Sequence, residues 1–134
     1  MKDFGDIHAV GVLLVEDSAF QANLMRRILN VVGVREVAIA ENGRQALAML
    51  TAEPARFGVV VCDLVMPEMT GYQLVAAIRG GQAAGAEAVP IVVVTGAHGD
   101  EVEHLARLGQ VQGYIRKPAT TAAVFEALKA ALAA

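Results

Sequence analysis

Along the chain, two hydrophobic patterns alternate. Short, uninterrupted apolar runs rich in valine fall at 10–15, 37–40, 59–62, 91–95 and, more weakly, 114–116. Continuous apolarity over so few residues predicts strands buried on both faces. Between the runs lie longer stretches of helical period, at about 19–32, 43–51, 71–79, 100–108 and 121–133. In the first of these, Leu24, Ile28, Leu29 and Val32 form one amphipathic stripe.

Local chemistry marks where these helices start. Ser18-x-x-Gln21 and Thr70-x-x-Gln73 match the capping box, and Asn42-x-x-Gln45 is a looser version. Pro90 opens one strand and Pro118 closes another, while Gly33, Gly58, Gly109 and Gly113 punctuate connections. The small-residue stretch from Gly80 to Gly85 is expected to be the most flexible part of the chain. The order is therefore (βα)5: an α/β, doubly wound parallel sheet with helices on both faces and right-handed crossovers. Its 134 residues suit one domain, read as 10–134, with 1–9 as an N-terminal extension.

Composition narrows the class. Hydrophobic residues make up 55% and charged residues 19%, so a core is affordable, but aromatics are only 4% and Val, Leu, Ile and Ala must fill it. A net charge of −3 with no basic block argues against direct nucleic-acid binding. Cys62 is the single cysteine, which excludes an intramolecular disulfide and a cysteine-based zinc site. The N-terminus lacks the apolar core of a signal peptide, and no apolar run is long enough for a membrane span. A reducing, cytoplasmic setting is the expectation.

In a doubly wound sheet, ligands sit beyond the carboxyl ends of the strands. Those ends carry Glu16 and Asp17, then Asp63, then Thr95, then Lys117. Two carboxylates about 4 Å apart repel by roughly 4 kcal/mol at an effective dielectric near 20. Such a cluster holds either a proton or a cation. A small set of hard oxygen ligands suits Mg²⁺. A divalent ion, an ammonium and a hydroxyl together suit a phosphoryl group, and an aspartate can itself be the nucleophile. Asp63, between the acid pair and Lys117, is the best-placed acceptor.

The segments VLLVEDS, VVVCDLVMPEMTG, IVVVTGA and YIRKP, in this order, resemble the motifs of the receiver domain of two-component response regulators, over nearly the whole chain. The resemblance implies the flavodoxin-like strand order 2-1-3-4-5. It implies Asp63 as phospho-acceptor, with Asp17, Asp63 and the backbone carbonyl of Val65 on Mg²⁺ and Glu16 acting mostly through a bound water. It gives Lys117 to Asp63 at rest and to the phosphoryl group after transfer. It makes Thr95 a phosphoryl hydrogen-bond donor and Tyr114 the aromatic that turns inward with it, and it implies a cis Lys117–Pro118 bond. Met66, Pro67 and Gly71 would shape the acceptor loop. Val65 and Ala97 would tune hydrolysis; both are apolar and cannot orient water, so slow autodephosphorylation is expected.

The implied function is a signalling switch rather than a turnover enzyme. A histidine kinase or phosphotransfer protein would be the donor. An unnamed output partner would read the face of the fourth predicted helix (100–108), the fifth strand and the fifth helix, with the chain a monomer or a phosphorylation-induced dimer. Kinase choice is expected to involve Phe20, Leu24 and Met25.

Three other readings stand beside it. A haloacid-dehalogenase-like phosphatase wants an acid two residues after the nucleophile, where this chain has Val65. A flavin or nucleotide binder wants phosphate-cradling residues at the first βα turn, where Glu16 and Asp17 stand. A degenerate receiver would act without phosphorylation. His8, His98 and His104 are read as surface or packing residues, Cys62 as an inert core thiol, and Asp100, Glu101 and Glu103 as a solvated helical turn.

Overall fold

A computed structural model describes residues 5–66, 68–96, 104–105 and 109–133. In chain order the elements are α1 (Gly5–Ala9), β1 (Gly11–Val15), α2 (Ala19–Val32), β2 (Glu36–Ala40), α3 (Gly43–Ala52), β3 (Val59–Asp63), α4 (Gly71–Arg79), β4 (Ile91–Thr95), β5 (Gly113–Arg116) and α5 (Thr121–Ala133). Apart from His104 and Leu105, the helix expected over 100–108 lies outside the described residues, as do Pro67, Ala97 and His98.

The strands pair in parallel in the order β2-β1-β3-β4-β5. This is the doubly wound α/β sheet expected, and its direction of winding reverses between β1 and β3. Strands β1, β3 and β4 are buried along their whole length, which explains their unbroken apolarity. Alternation divides the core in two. Leu13, Val15, Val60, Cys62, Ile91 and Val93 pack on the side of α3 and α4. Val12, Leu14, Val61, Val92, Val94 and Ile115 pack on the side of α2 and α5. Full burial of one such side chain stabilises by roughly 1.5–3 kcal/mol, and neither face of these strands offers water to a polar replacement.

Caps fix the helix starts. Ser18 Oγ accepts from the Gln21 N–H at 3.2 Å. Thr70 and Gln73 form a complete capping box, at 3.2 and 2.9 Å. Asn42 Oδ1 accepts from the Gln45 N–H at 2.8 Å, and Gln45 Oε1 accepts in turn from the Glu41 N–H. Helix α2 stops at Gly33, whose φ of 115° is left-handed and favours glycine.

Two expectations need correction. The buried stripe of α2 is Ala22, Met25 and Leu29, whereas Leu24 is 44% exposed. Of the expected stripe, Leu29 is buried and Ile28 and Val32 pack against the same core, so only Leu24 departs from it. The stretch from Gly80 to Gly85 is not a loose loop: Ala83 is buried in the core, and the Gln82 N–H reaches the Ala77 carbonyl at 3.0 Å. Arg79, just before it, donates to the carbonyls of Glu87, Val89 and Gln110 and to Gln112 Oε1, at 2.8–3.1 Å. That guanidinium ties together the chain entering β4 and the chain entering β5. The residues read as an extension include α1, whose Ile7 is buried among the α2 and α5 side chains. No described helix is long and apolar enough to cross a membrane.

Candidate functional site

Register builds the site. Val15 pairs with Cys62, so Glu16 and Asp63, one residue further on, end neighbouring strands side by side. Thr95 pairs with Arg116, which brings Lys117 beside Gly96. Alternation then sets direction. Glu16 continues the series of Val12 and Leu14, Asp63 that of Val59 and Val61, and Lys117 that of Ile115, all on the α2/α5 side. The three meet at one end of a cleft of about 720 Å³, walled by Leu24, Met25 and Ile28 of α2 and by Pro118.

Both oxygens of Asp63 are held. Lys117 Nζ lies 2.8 Å from Oδ2, and the Val65 N–H donates to Oδ1 at 3.1 Å. Asp63 is only 6% exposed, so the ammonium matters: an unpaired carboxylate there would be costly. The Lys117–Pro118 bond is cis. The loop after Asp63 folds back through Gly71, whose N–H reaches the Leu64 carbonyl at 3.0 Å. A Cβ on Gly71 would stand 2.5 Å from the Asp63 carbonyl oxygen and 2.7 Å from Leu64 Cα, so only glycine fits this approach. Glu68, in the same loop, has a left-handed φ of 67°.

Glu16 accepts from the Ser18 N–H at 3.1 Å. Burial above all, with Asp17 and Asp63 adding to it, pushes its carboxyl up to about 7 against the lowering effect of that bond. Asp17 is exposed and lines a small neighbouring hollow of about 120 Å³ with Glu16, Asn23 and Glu41. Beside Asp63, Cys62 faces the other core and burial pushes its thiol up to about 12, an unreactive group.

Among the described residues, no three His, Cys, Asp or Glu side chains make a ready metal cage. The donor set still fits Mg²⁺. That ion takes few carboxylates and keeps its waters. Burial is the main reason Glu16 resists ionising, and the neighbouring Asp17 and Asp63 add negative charge that a divalent cation would offset.

Not every predicted residue joins the cleft. Thr95 is buried at the end of β4, and alternation puts it with Ile91 and Val93 on the α3/α4 side. Tyr114, paired with Val93, shares that side and is 44% exposed. Val65 is 78% exposed and does not line the cleft, and Ala97 lies outside the described residues. Two features were missed by sequence reasoning: the apolar cleft wall and the steric reason for Gly71. A glycine eight residues past a strand-end aspartate was visible as a loop signal, but the backbone contact behind it was not.

With fold and site in view, comparison with known proteins is direct. The chain belongs to the response regulator receiver domain family, whose model matches residues 12–129. It is 31% identical over 119 residues to the chemotaxis protein CheY of Pseudomonas aeruginosa, covering 88% of this chain and 92% of that protein. It is also 31% identical over 121 residues to chemotaxis protein CheY1 of Helicobacter pylori, covering 90% and 95%. Among solved structures, CheY4 of Vibrio cholerae superimposes with a TM-score of 0.78 at 30% identity, over 92% of this chain and 98% of that one. The receiver domain of sensor histidine kinase PA1611 from Pseudomonas aeruginosa, solved with magnesium in its active site cleft, shares the fold: TM-score 0.77, 24% identity, 93% and 98% coverage.

Proposed function

We propose that this receiver is a phospho-accepting switch of a two-component system, charged on Asp63 by a histidine kinase or a phosphotransfer protein. The observation that carries the reading is the buried Asp63 carboxylate, held by Lys117 at 2.8 Å and flanked by Glu16 at the sheet's switch point. A carboxylate oxygen of Asp63 attacks phosphorus, the bond to the donor's imidazole nitrogen breaks, and that nitrogen keeps the electron pair and takes up a proton. Lys117 follows the charge from the carboxylate to the phosphoryl oxygens. Glu16, Asp17, Asp63 and the Val65 carbonyl would hold Mg²⁺, which when bound neutralises charge on the phosphoryl oxygens. The magnesium in the PA1611 receiver supports this assignment.

Thr95 donates to a phosphoryl oxygen, Tyr114 turns inward with it, and the output partner reads β5, α5 and the helix expected over 100–108. Val65 and Ala97 offer no group to orient an attacking water, so autodephosphorylation is slow. The setting is the cytoplasm, and the chain acts as a monomer or as a dimer formed on phosphorylation.

The test is labelling with acetyl phosphate and Mg²⁺, read as a phosphoryl adduct by mass spectrometry. The parent gains one adduct, lost with Asp63→Asn or with chelator. An adduct of equal yield on Asp63→Asn would sink the assignment.

A further inference from the structure

The family match begins at residue 12, yet the residues before it are built into the fold. Ile7 is 2% exposed inside the α2/α5 core, and α1 packs on α5. His8 Nδ1 lies 2.9 Å from the carbonyl oxygen of Gly33, the cap of α2. Val10 packs against the same core.

Two glycines make room for this segment. A Cβ on Gly33 would stand 2.9 Å from the His8 ring, and one on Gly58 would stand 2.3 Å from Val10 Cγ2. The segment therefore touches the C-terminal end of α2, the body of α5 and the entry to β3.

We propose that residues 5–10 are a strap within the folding unit, clamping the C-terminal end of α2 against α5. Since α2 also walls the cleft beside Asp63, the strap fixes the helix that a donor must approach.

Ile7→Ala, and Gly58→Ala made both in the parent and in a Val10→Ala background, test this by urea denaturation and amide hydrogen exchange. Ile7→Ala lowers the folding equilibrium constant by on the order of a hundredfold, as for other buried aliphatic truncations. It also speeds exchange at the Gly33 and Val34 amides more than in β3, because the clamp is lost locally. Gly58→Ala destabilises the parent but costs far less in a Val10→Ala background, where the seat is empty. Parent-like stability in Ile7→Ala overturns the strap. So does a loss of protection spread evenly over α2 and β3, or an equal cost of Gly58→Ala in both backgrounds.

Discussion

Gly71→Ala asks whether backbone contact sets the position of the acceptor. The added Cβ would sit 2.5 Å from the Asp63 carbonyl oxygen and 2.7 Å from Leu64 Cα, where ordinary contact starts at 3.4 Å. Both obstacles are main chain, so no side chain can swing aside, and the loop must retreat by most of an ångström. Overpacking of this kind costs about 1–3 kcal/mol. Stiffening of the unfolded chain returns about 0.4–1 kcal/mol. A net loss of about 1–2 kcal/mol is expected in urea denaturation. The effect on labelling is larger, because a displacement near 1 Å of a reacting group costs on the order of a hundredfold in rate. Acetyl phosphate labelling of Asp63 should therefore slow far more than stability falls. Gly43→Ala is the control: its Cβ meets the Met69 side chain, 2.5 Å from the sulfur, and a thioether can move. That variant should label at the parent rate. Parent-rate labelling by Gly71→Ala, or an equal slowing by Gly43→Ala, refutes the reasoning.

Three further outcomes follow from the same geometry. Glu16, raised to about 7 from 4.5, binds more proton in the native than in the unfolded state across that window, so metal-free protein loses stability as pH rises through it. The full shift corresponds to roughly 3 kcal/mol; beside an open cleft about 1–2 kcal/mol is expected, and a Glu16→Gln protein with the same pH slope contradicts it. Arg79→Met removes the donor to three carbonyls at the end of the sheet away from Asp63, while Gln112 Oε1 keeps the Ile91 N–H; it should cost about 1–3 kcal/mol in urea while labelling persists, and a loss under about 0.5 kcal/mol rejects the clamp. Cys62, pushed up to about 12 by burial, should react with a disulfide reagent only as fast as the protein unfolds, and rapid native labelling counts against that.

Periodicity carried the sheet because its central strands are buried on both faces, and that demand leaves few polar residues to blur the pattern. Residues 19, 32, 71 and 79 bound helices as expected because Ser18 and Thr70 cap their own helix starts locally and Gly33 ends α2. What stayed illegible depends on distant partners. Ile7 is one apolar residue in a five-residue helix, too short to show a period, and its burial is decided by α2 and α5. Leu24 and Met25 are equally apolar, and only the fold selects which faces the core. No local signal marks Arg79, whose partners come from the segments entering β4 and β5. The acid cluster was legible because strand ends in a parallel sheet share one edge, although the sides on which its members point depend on register.

That last dependence organises the molecule. Glu16, Asp63 and Lys117 belong to the series that faces α2 and α5, whereas Thr95 and Tyr114 belong to the series that faces the opposite core. On the proposed phosphorylation of Asp63, new charge would appear on one side of the sheet, and the residues proposed to respond stand on the other. If Thr95 turns toward Asp63 as proposed, the main chain at Thr95 and Gly96 would move with it. Gly96 leaves space for this, since a Cβ there would come no closer than 3.9 Å to Lys117. The Lys117 N–H already holds the Thr95 carbonyl at 2.9 Å, so the residue that pairs with the acceptor is also tied to the residue that must turn. On the proposed switch, coupling between the two faces would run through the adjoining ends of β4 and β5, where this backbone hydrogen bond joins the strand end that carries Lys117 to the one that carries Thr95.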